Sequence, residues 1–214
     1  MKRFSTPVFA VIFSLGASAG AVEYKIDLSH SAVIFKIRHL GISTVTGQFM
    51  DLEGTFDVDP KNIGATKGSV VIKTASISTN NAKRDAHLQS EDFFNAEKFP
   101  EIKFVSKSVR AVNMADSTCE LVGDLTIREV TKEIILKVKG AGLLANDGWG
   151  NARAAFNASG KIDRFDYNLK WNKAIETGSL VAGREVELEL AFEGMRPLAP
   201  EPAAKPAGKP KPAK

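Results

Sequence analysis

Between Glu185 and Phe192 the even positions Val186, Leu188, Leu190 and Phe192 are apolar, while Glu185, Glu187 and Glu189 alternate with them. This is the period-2 pattern of a strand with one face buried and the other in water. Leu52, Gly54, Phe56 and Val58 repeat it against Glu53, Thr55, Asp57 and Asp59. So do Cys119 to Ile127 and Ile134 to Val138, and further strands are readable at Val33 to His39, Thr44 to Met50, Ser69 to Ala75, Ile102 to Val109 and Ala152 to Ile162. Only Asn81 to Phe94 reads as helical: it lacks β-branched residues, and Ser90 is placed to cap a second short helical turn from Glu91. Many amphipathic strands with short connections and no interleaved helices predict an all-β fold, an antiparallel meander. Closing it into a barrel removes the exposed edges.

The inward parity mixes large side chains (Phe35, Phe49, Phe56, Phe104, Phe156, Phe192) with small ones (Gly47, Gly54, Gly123, Ala154, Ala158, Gly160). Two readings of the small residues stand side by side. They leave room for a ligand, or they are the bulges and bends that closure needs. On the first reading, a bulky aliphatic at Gly123 or Ala158 lowers ligand uptake more than stability. Beyond residue 21 the chain keeps ten phenylalanines but only Tyr24, Tyr167, Trp149 and Trp171. Phenylalanine has no polar handle, so such a wall suits a hydrocarbon, as it also suits an ordinary core.

The charge total changes meaning once it is mapped. The 29 Lys and Arg against 25 Asp and Glu give +4, but Lys2 and Arg3 open the chain and Lys205, Lys209, Lys211 and Lys214 close it against Glu201. Residues 22 to 196 hold 23 basic and 24 acidic side chains, which is no footprint for nucleic acid. Met1-Lys2-Arg3, the apolar run Val8 to Leu15 and two overlapping A-x-A sites ending at Ala19 and Ala21 read as a cleavable secretory signal over residues 1–21. The run falls well short of the ~20 apolar residues of a membrane span. Residues 197–214 hold six of the nine prolines and no aromatic or β-branched residue, the composition of a solvated, disordered arm. That arm reads as solubilising, or as a weak cationic tether to an anionic membrane surface.

Candidate chemistry is sparse. His30, His39 and His87 show no close-spaced ligand pair, so no metal is expected, and hydrogen bonds to backbone and carboxylates at the barrel mouth are their simpler use. Arg84 and Asp85 beside His87 read as a polar latch between helix and barrel, or as headgroup ligands. Ser31, His30 and Asp85 supply a nucleophilic set in name only, since nothing like G-x-S-x-G frames a serine. Cys119 shares the parity of Leu121 and Leu125 and reads as a small buried hydrophobe. As the lone cysteine, it excludes an intrachain disulfide.

Several segments together resemble the YceI-like polyisoprenoid-binding family: Tyr24-x-Ile26-Asp27-x-x-His30-Ser31, Phe35-x-Ile37-x-His39-x-Gly41, Val45-x-Gly47-x-Phe49, Ser76-Ile-Ser-Thr79, Arg84-Asp85-x-His87-Leu88, Phe93-Phe94, Phe99-Pro100-x-Ile102-x-Phe104-x-Ser106 and Gly123-Asp-Leu125-Thr126-Ile127. The resemblance runs from about Tyr24 to Phe192. It departs at Glu129, where the family usually has glycine, and at Asn168, where Phe-Gly is usual. It implies an extended lipocalin-like antiparallel β-barrel in the bacterial periplasm, holding a polyisoprenoid or related long-chain lipid, such as an isoprenoid quinone or prenyl lipid. No catalytic residue and no cofactor beyond the bound lipid is implied. Phe35, Ile37, Phe49, Phe93, Phe94 and Phe104 become candidate cavity or mouth residues, and Phe56, Leu125 and Phe156 join them on inward parity. His39, Arg84, Asp85 and His87 become polar groups at the mouth. Expected partners are the lipid, a membrane surface through the tail, and a second copy of the chain in a homodimer. The rival readings are a small envelope enzyme acting on an isoprenoid or its phosphate through the His39 and His87 region, and a structural protein with a packed core.

Overall fold

The computed structural model describes residues 21–172 and 180–198, so nearly all of the expected signal and of the tail lies outside it. Eleven strands follow in chain order: β1 Val22–Ile26, β2 Ala32–His39, β3 Ser43–Phe49, β4 Leu52–Val58, β5 Lys67–Lys73, β6 Ile77–Ser78, β7 Glu101–Asn113, β8 Thr118–Ile127, β9 Val130–Leu144, β10 Asn151–Asp163 and β11 Ala182–Pro197. One helix, α1 Ala82–Gln89, lies between β6 and β7.

Pairing reduces these to eight staves. β10 pairs along its full length with β11; on its other side β11 pairs first with β2 and then, at Gly194 and Met195, with β1. β1 and β2 are thus one bent stave, as are β3 with β4 and β5 with β6. All neighbours are antiparallel, the ring closes through β1 and β11, and the result is an up-and-down eight-stranded barrel. The alternation read from sequence sets its inner face: Val186, Leu188, Leu190 and Phe192 line the interior, while Glu185, Glu187 and Glu189 stay outside.

The bend between β1 and β2 is built by the Asp27-x-x-His30-Ser31 segment. The Asp27 carboxylate caps the 3-10 turn Leu28–His30, accepting from the Ser29 amide at 3.1 Å and from the His30 ring at 2.9 Å. The carbonyl of Glu193 accepts from the Asp27 amide (2.8 Å), and the Glu193 amide donates to Ser31 Oγ (3.1 Å). Those bonds replace the sheet ladder that the turn interrupts. Hydrogen bonding to Ser29, His30 and Arg153 outweighs burial and holds the Asp27 carboxyl well below the usual carboxylate range.

Three sequence expectations change. β1 and β6 were not among the expected strands, being too short for a full alternation to show. Ser90 ends α1 instead of starting a second turn of helix: its hydroxyl donates to the His87 carbonyl at 2.7 Å, and residues 91–94 form a turn. β11 continues to Pro197, one residue past the expected domain edge, and Leu198 packs against the core.

Candidate functional site

The barrel encloses an elongated cavity of about 730 Å³, inside the ~300–1,000 Å³ span of small-molecule sites. Its wall is almost wholly hydrocarbon. Phe35 and Phe49 sit 5.8 Å apart between centroids, and Phe49 meets Phe94 edge-on at 5.9 Å. Phe56 meets Phe156 at 5.0 Å, and Phe156 meets Phe192 at 5.5 Å. Ile37, Phe93, Phe104 and Leu125 also face this space, as do His39, Arg84 and His87. Of the expected ligand contacts only Asp85 lies off the wall: it accepts from the Thr79 amide (2.8 Å) and hydroxyl (2.5 Å), tying the start of α1 to the end of β6. That corrects the headgroup reading of Asp85 in favour of the latch.

The inward glycines do not each add free space. A Cβ at Gly47 would run into the Phe35 ring directly across the strand pair, and one at Gly123 into the Phe104 ring. At Gly160 it would meet Leu136 Cδ2 at 2.8 Å, and at Gly194 the Phe56 ring at 2.7 Å. Each glycine lets a neighbouring side chain lie against the wall. At Gly47 and Gly123 the space a side chain would take is used by the Phe35 and Phe104 rings, and the eight phenylalanines that line the cavity still leave its axis open. A bulky aliphatic at Gly123 would have to displace the Phe104 ring, which weighs against the expected ordering of a larger loss of uptake than of stability there.

The two ends of the cavity differ. At one, α1 with Phe93 and the stretch 164–171 meet across the barrel: the His87 ring lies edge-on to both Phe93 and Trp171, each 5.1 Å away. Arg128 donates to the carbonyls of Phe93 (2.7 Å) and Asn168 (3.2 Å), joining the same two segments. Arg164, 3 % exposed, donates to the carbonyls of Gly183 (2.8 Å), Trp171 (3.0 Å), Ala182 (3.1 Å) and Leu169. The arginines and His87 here are spent on the protein. Arg84 bonds the Thr79 hydroxyl (2.7 Å) and carbonyl (2.8 Å), Arg38 bonds Thr44 and the Gly41 carbonyl, and His87 bonds Asp92 at 2.9 Å.

The opposite end is formed by the β4–β5 loop and the tips of the β7–β8 and β9–β10 hairpins. Its lining includes Ile63, Val112, Met114 and Leu143, of which Val112, Met114 and Leu143 are 42 %, 61 % and 51 % exposed. Among the described residues the exposed apolar lining gathers at this end, which marks it as the mouth. The polar groups expected at the mouth therefore sit at the far end, a second correction. Arg164 and Trp171 were missed because neither belongs to an alternating strand; the mouth residues were missed because strand alternation assigns a face but no height along the barrel.

Cys119 lies on the wall, partly buried, and burial pushes its thiol pKa up, away from thiolate chemistry. Asp27, His30 and Glu193 bring three donor atoms within 4.8 Å of one another. The Arg153 guanidinium already occupies that cluster, bonding Asp27, Glu193 and, at 2.8 Å, Asp147. It is a bracket joining β1, β10 and β11.

The YceI-like domain model matches residues 24–194. Protein YceI of Escherichia coli O157:H7 is 42% identical over 189 residues, covering 87% of this chain and 93% of that one. A UPF0312 protein of Yersinia enterocolitica is 44% identical over 191 residues, covering 88% and 94%. Among solved structures, the Campylobacter jejuni YCEI protein shares 34% identity at a TM-score of 0.63, over 75% of this chain and 90% of that one. Burkholderia cenocepacia BcnA, 19% identical, aligns at a TM-score of 0.67 over 78% and 98%, a likeness of fold. The matched residues take in all but the outermost ends of the barrel and the whole of the cavity within it, and the chain belongs to the YceI-like family.

Proposed function

We propose that this protein is a non-enzymatic carrier of a polyisoprenoid or related long-chain lipid, such as an isoprenoid quinone, in the bacterial periplasm. The observation that carries the reading is the 730 Å³ cavity, walled by phenylalanine rings and aliphatic side chains from every stave. A structure of a polyisoprenoid-binding domain from Saccharophagus degradans, 17% identical, shares the fold at a TM-score of 0.58 over 81% of this chain and 98% of that one. The periplasmic assignment rests on the signal-like residues 1–21.

The chemistry of the wall favours recognition by chain, with little demand on the headgroup, because the arginines facing the cavity, Arg38, Arg84 and Arg164, already hold protein acceptors. Sheltering a prenyl chain from water gains roughly 0.8 kcal/mol per methylene-sized group. A bilayer shelters it equally well. Transfer between membrane and barrel is therefore near-neutral exchange, which suits a shuttle or buffer. Organic extraction of protein purified from the periplasm, followed by mass spectrometry, should release an isoprenoid lipid, and the emptied barrel should take up a quinone from detergent. Absence of both would sink the reading. Turnover of an isoprenoid phosphate that disappears in His39→Ala or His87→Ala would replace it with the enzyme.

A further inference from the structure

Among the described residues, the exposed large apolar side chains Leu28, Met50, Val105 and Ile135 lie on the sides of the barrel, and Ile42 stands at the closed end. The other five crowd the open end: Val112, Met114, Leu143, Leu144 and Trp149. Val112, Met114 and Leu143 also line the cavity, so this patch is continuous with the interior. Trp149, 84 % exposed, is held out by a built loop. Gly148 and Gly150 flank it at φ +85° and +88°, and Asp147 accepts from the Trp149 amide (2.8 Å) and the Asn151 amide (3.0 Å). Arg153 anchors that Asp147 in turn. An indole fixed in water beside an apolar rim is the arrangement of a membrane-interface anchor.

Charge supplies the second argument. Leu198, the last described residue, donates its amide to the Gly150 carbonyl at 2.8 Å, so the chain leaves the barrel beside Trp149. From residue 199 it carries four lysines against one glutamate. At this end Lys61, Lys67, Lys139, Arg153 and Arg196 are offset by Glu23, Asp57, Asp59, Asp116 and Asp147, so the positive excess belongs to the tail.

We propose that the open end seats on an anionic bilayer, with the apolar rim in the headgroup region and the lysine tail on the lipid phosphates. The proposal rests on the carrier reading for its purpose, not for its geometry. Seated this way, the cavity is continuous with the hydrocarbon, and a prenyl chain crosses without meeting water. A single weak anchor is insufficient for stable binding, which gives rim and tail distinct shares.

The test floats the chain from Val22 to Lys214 with vesicles of phosphatidylcholine and phosphatidylglycerol (3:1), and with phosphatidylcholine alone. Flotation on the anionic vesicles is expected to weaken with salt, and to fall about tenfold or more in the Met114→Glu, Leu143→Glu double variant and in a chain ending at Leu198. In a Trp171→Phe background, Trp149 fluorescence should be quenched by brominated lipid. Trp149→Ala, at an exposed turn, serves if the double variant fails to fold. The proposal is overturned if the full chain does not float, if the rim variants float as it does, or if they change a dimer to a monomer while leaving flotation intact. It is also overturned if the chain ending at Leu198 floats undiminished, or takes up quinone faster because the tail had covered the mouth. Quinone uptake from detergent tests the carrier reading separately: its loss in the full chain would remove that reading and leave the docking result standing.

Discussion

The two ends of this barrel are made from the same kinds of residue used in opposite ways. At the closed end arginine and aromatic side chains turn inward and bind each other or the backbone, so Phe93, Leu169 and Tyr167 are 8 %, 5 % and 1 % exposed. At the open end aliphatic and indole side chains are held outward by hydrogen-bonded loops. An eight-stranded barrel has no edges to satisfy, so its unpaired backbone is confined to its ends. The closed end satisfies that backbone internally with a guanidinium. The open end satisfies it within each hairpin and leaves the opening clear, so one end fixes the barrel and the other remains free to exchange its contents.

The largest effect should come from Arg164→Met, which strips the carbonyls of Leu169, Trp171 and Gly183 of their guanidinium donor, while the Ala182 carbonyl keeps that of Asn172. At ~1–3 kcal/mol for each acceptor left buried and unpaired, a loss of about 3 kcal/mol or more is expected in urea unfolding. A loss below about 1 kcal/mol would mean that water reaches those carbonyls and that the end is not closed. Midway along the wall, Gly123→Val forces the Phe104 ring off its seat and meets the Val105 carbonyl oxygen at 2.7 Å. Overpacking of this kind costs about 1–3 kcal/mol, so stability should fall at least as much as lipid uptake.

The mouth is braced by charge, and its response to acid is the next contrast. Hydrogen bonds from Arg153 and from the Asn151 and Trp149 amides outweigh burial and hold the Asp147 carboxyl well below its ordinary value of 3.8; Asp27 is lowered in the same sense. A carboxylate with a depressed folded pKa adds stability in full above that ordinary value and loses it as pH falls through the folded one. Unfolding monitored from pH 6 to 2 should therefore show an acid limb below about pH 4. Arg153→Gln should flatten that limb and lower stability most at the neutral end; an unchanged limb would assign the acid sensitivity elsewhere.

The smallest effect lies back at the closed end. Arg128 and Glu129 form the two-residue β8–β9 turn at φ 50° and 65°, the region that glycine occupies without strain. Arg128 repays its strain by joining Phe93 to Asn168, while among the described residues no side-chain hydrogen bond or ion pair holds Glu129. Glu129→Gly should raise stability by about 0.5–1 kcal/mol, read as a higher midpoint in thermal melts. Arg128→Gly should lower it.

How much of this was legible depends on the range of the interaction concerned. Inward and outward faces follow from period-2 alternation, a property of each strand alone, so the wall from Phe35 through Phe192 could be read from the chain. Asn168 at φ 61° is the left-handed position its residue type allows, again a local matter. The bent staves could not be read, because what joins β1 to β2 is the Glu193 backbone, 162 residues from Ser31. The use of the glycines was also hidden. Whether Gly47 opens space or seats Phe35 depends on strand register, and register is set when the sheet closes.

By itself, then, the sequence determined an all-β barrel, its apolar lining, the near-neutral charge of the domain and the cationic character of the tail, since alternation and composition are sums over neighbouring residues. Only the tertiary structure decided which end is open, where the polar groups lie along the axis, and that the tail leaves beside Trp149. Height along a barrel arises from the pairing of distant strands, and no local pattern of residues encodes it.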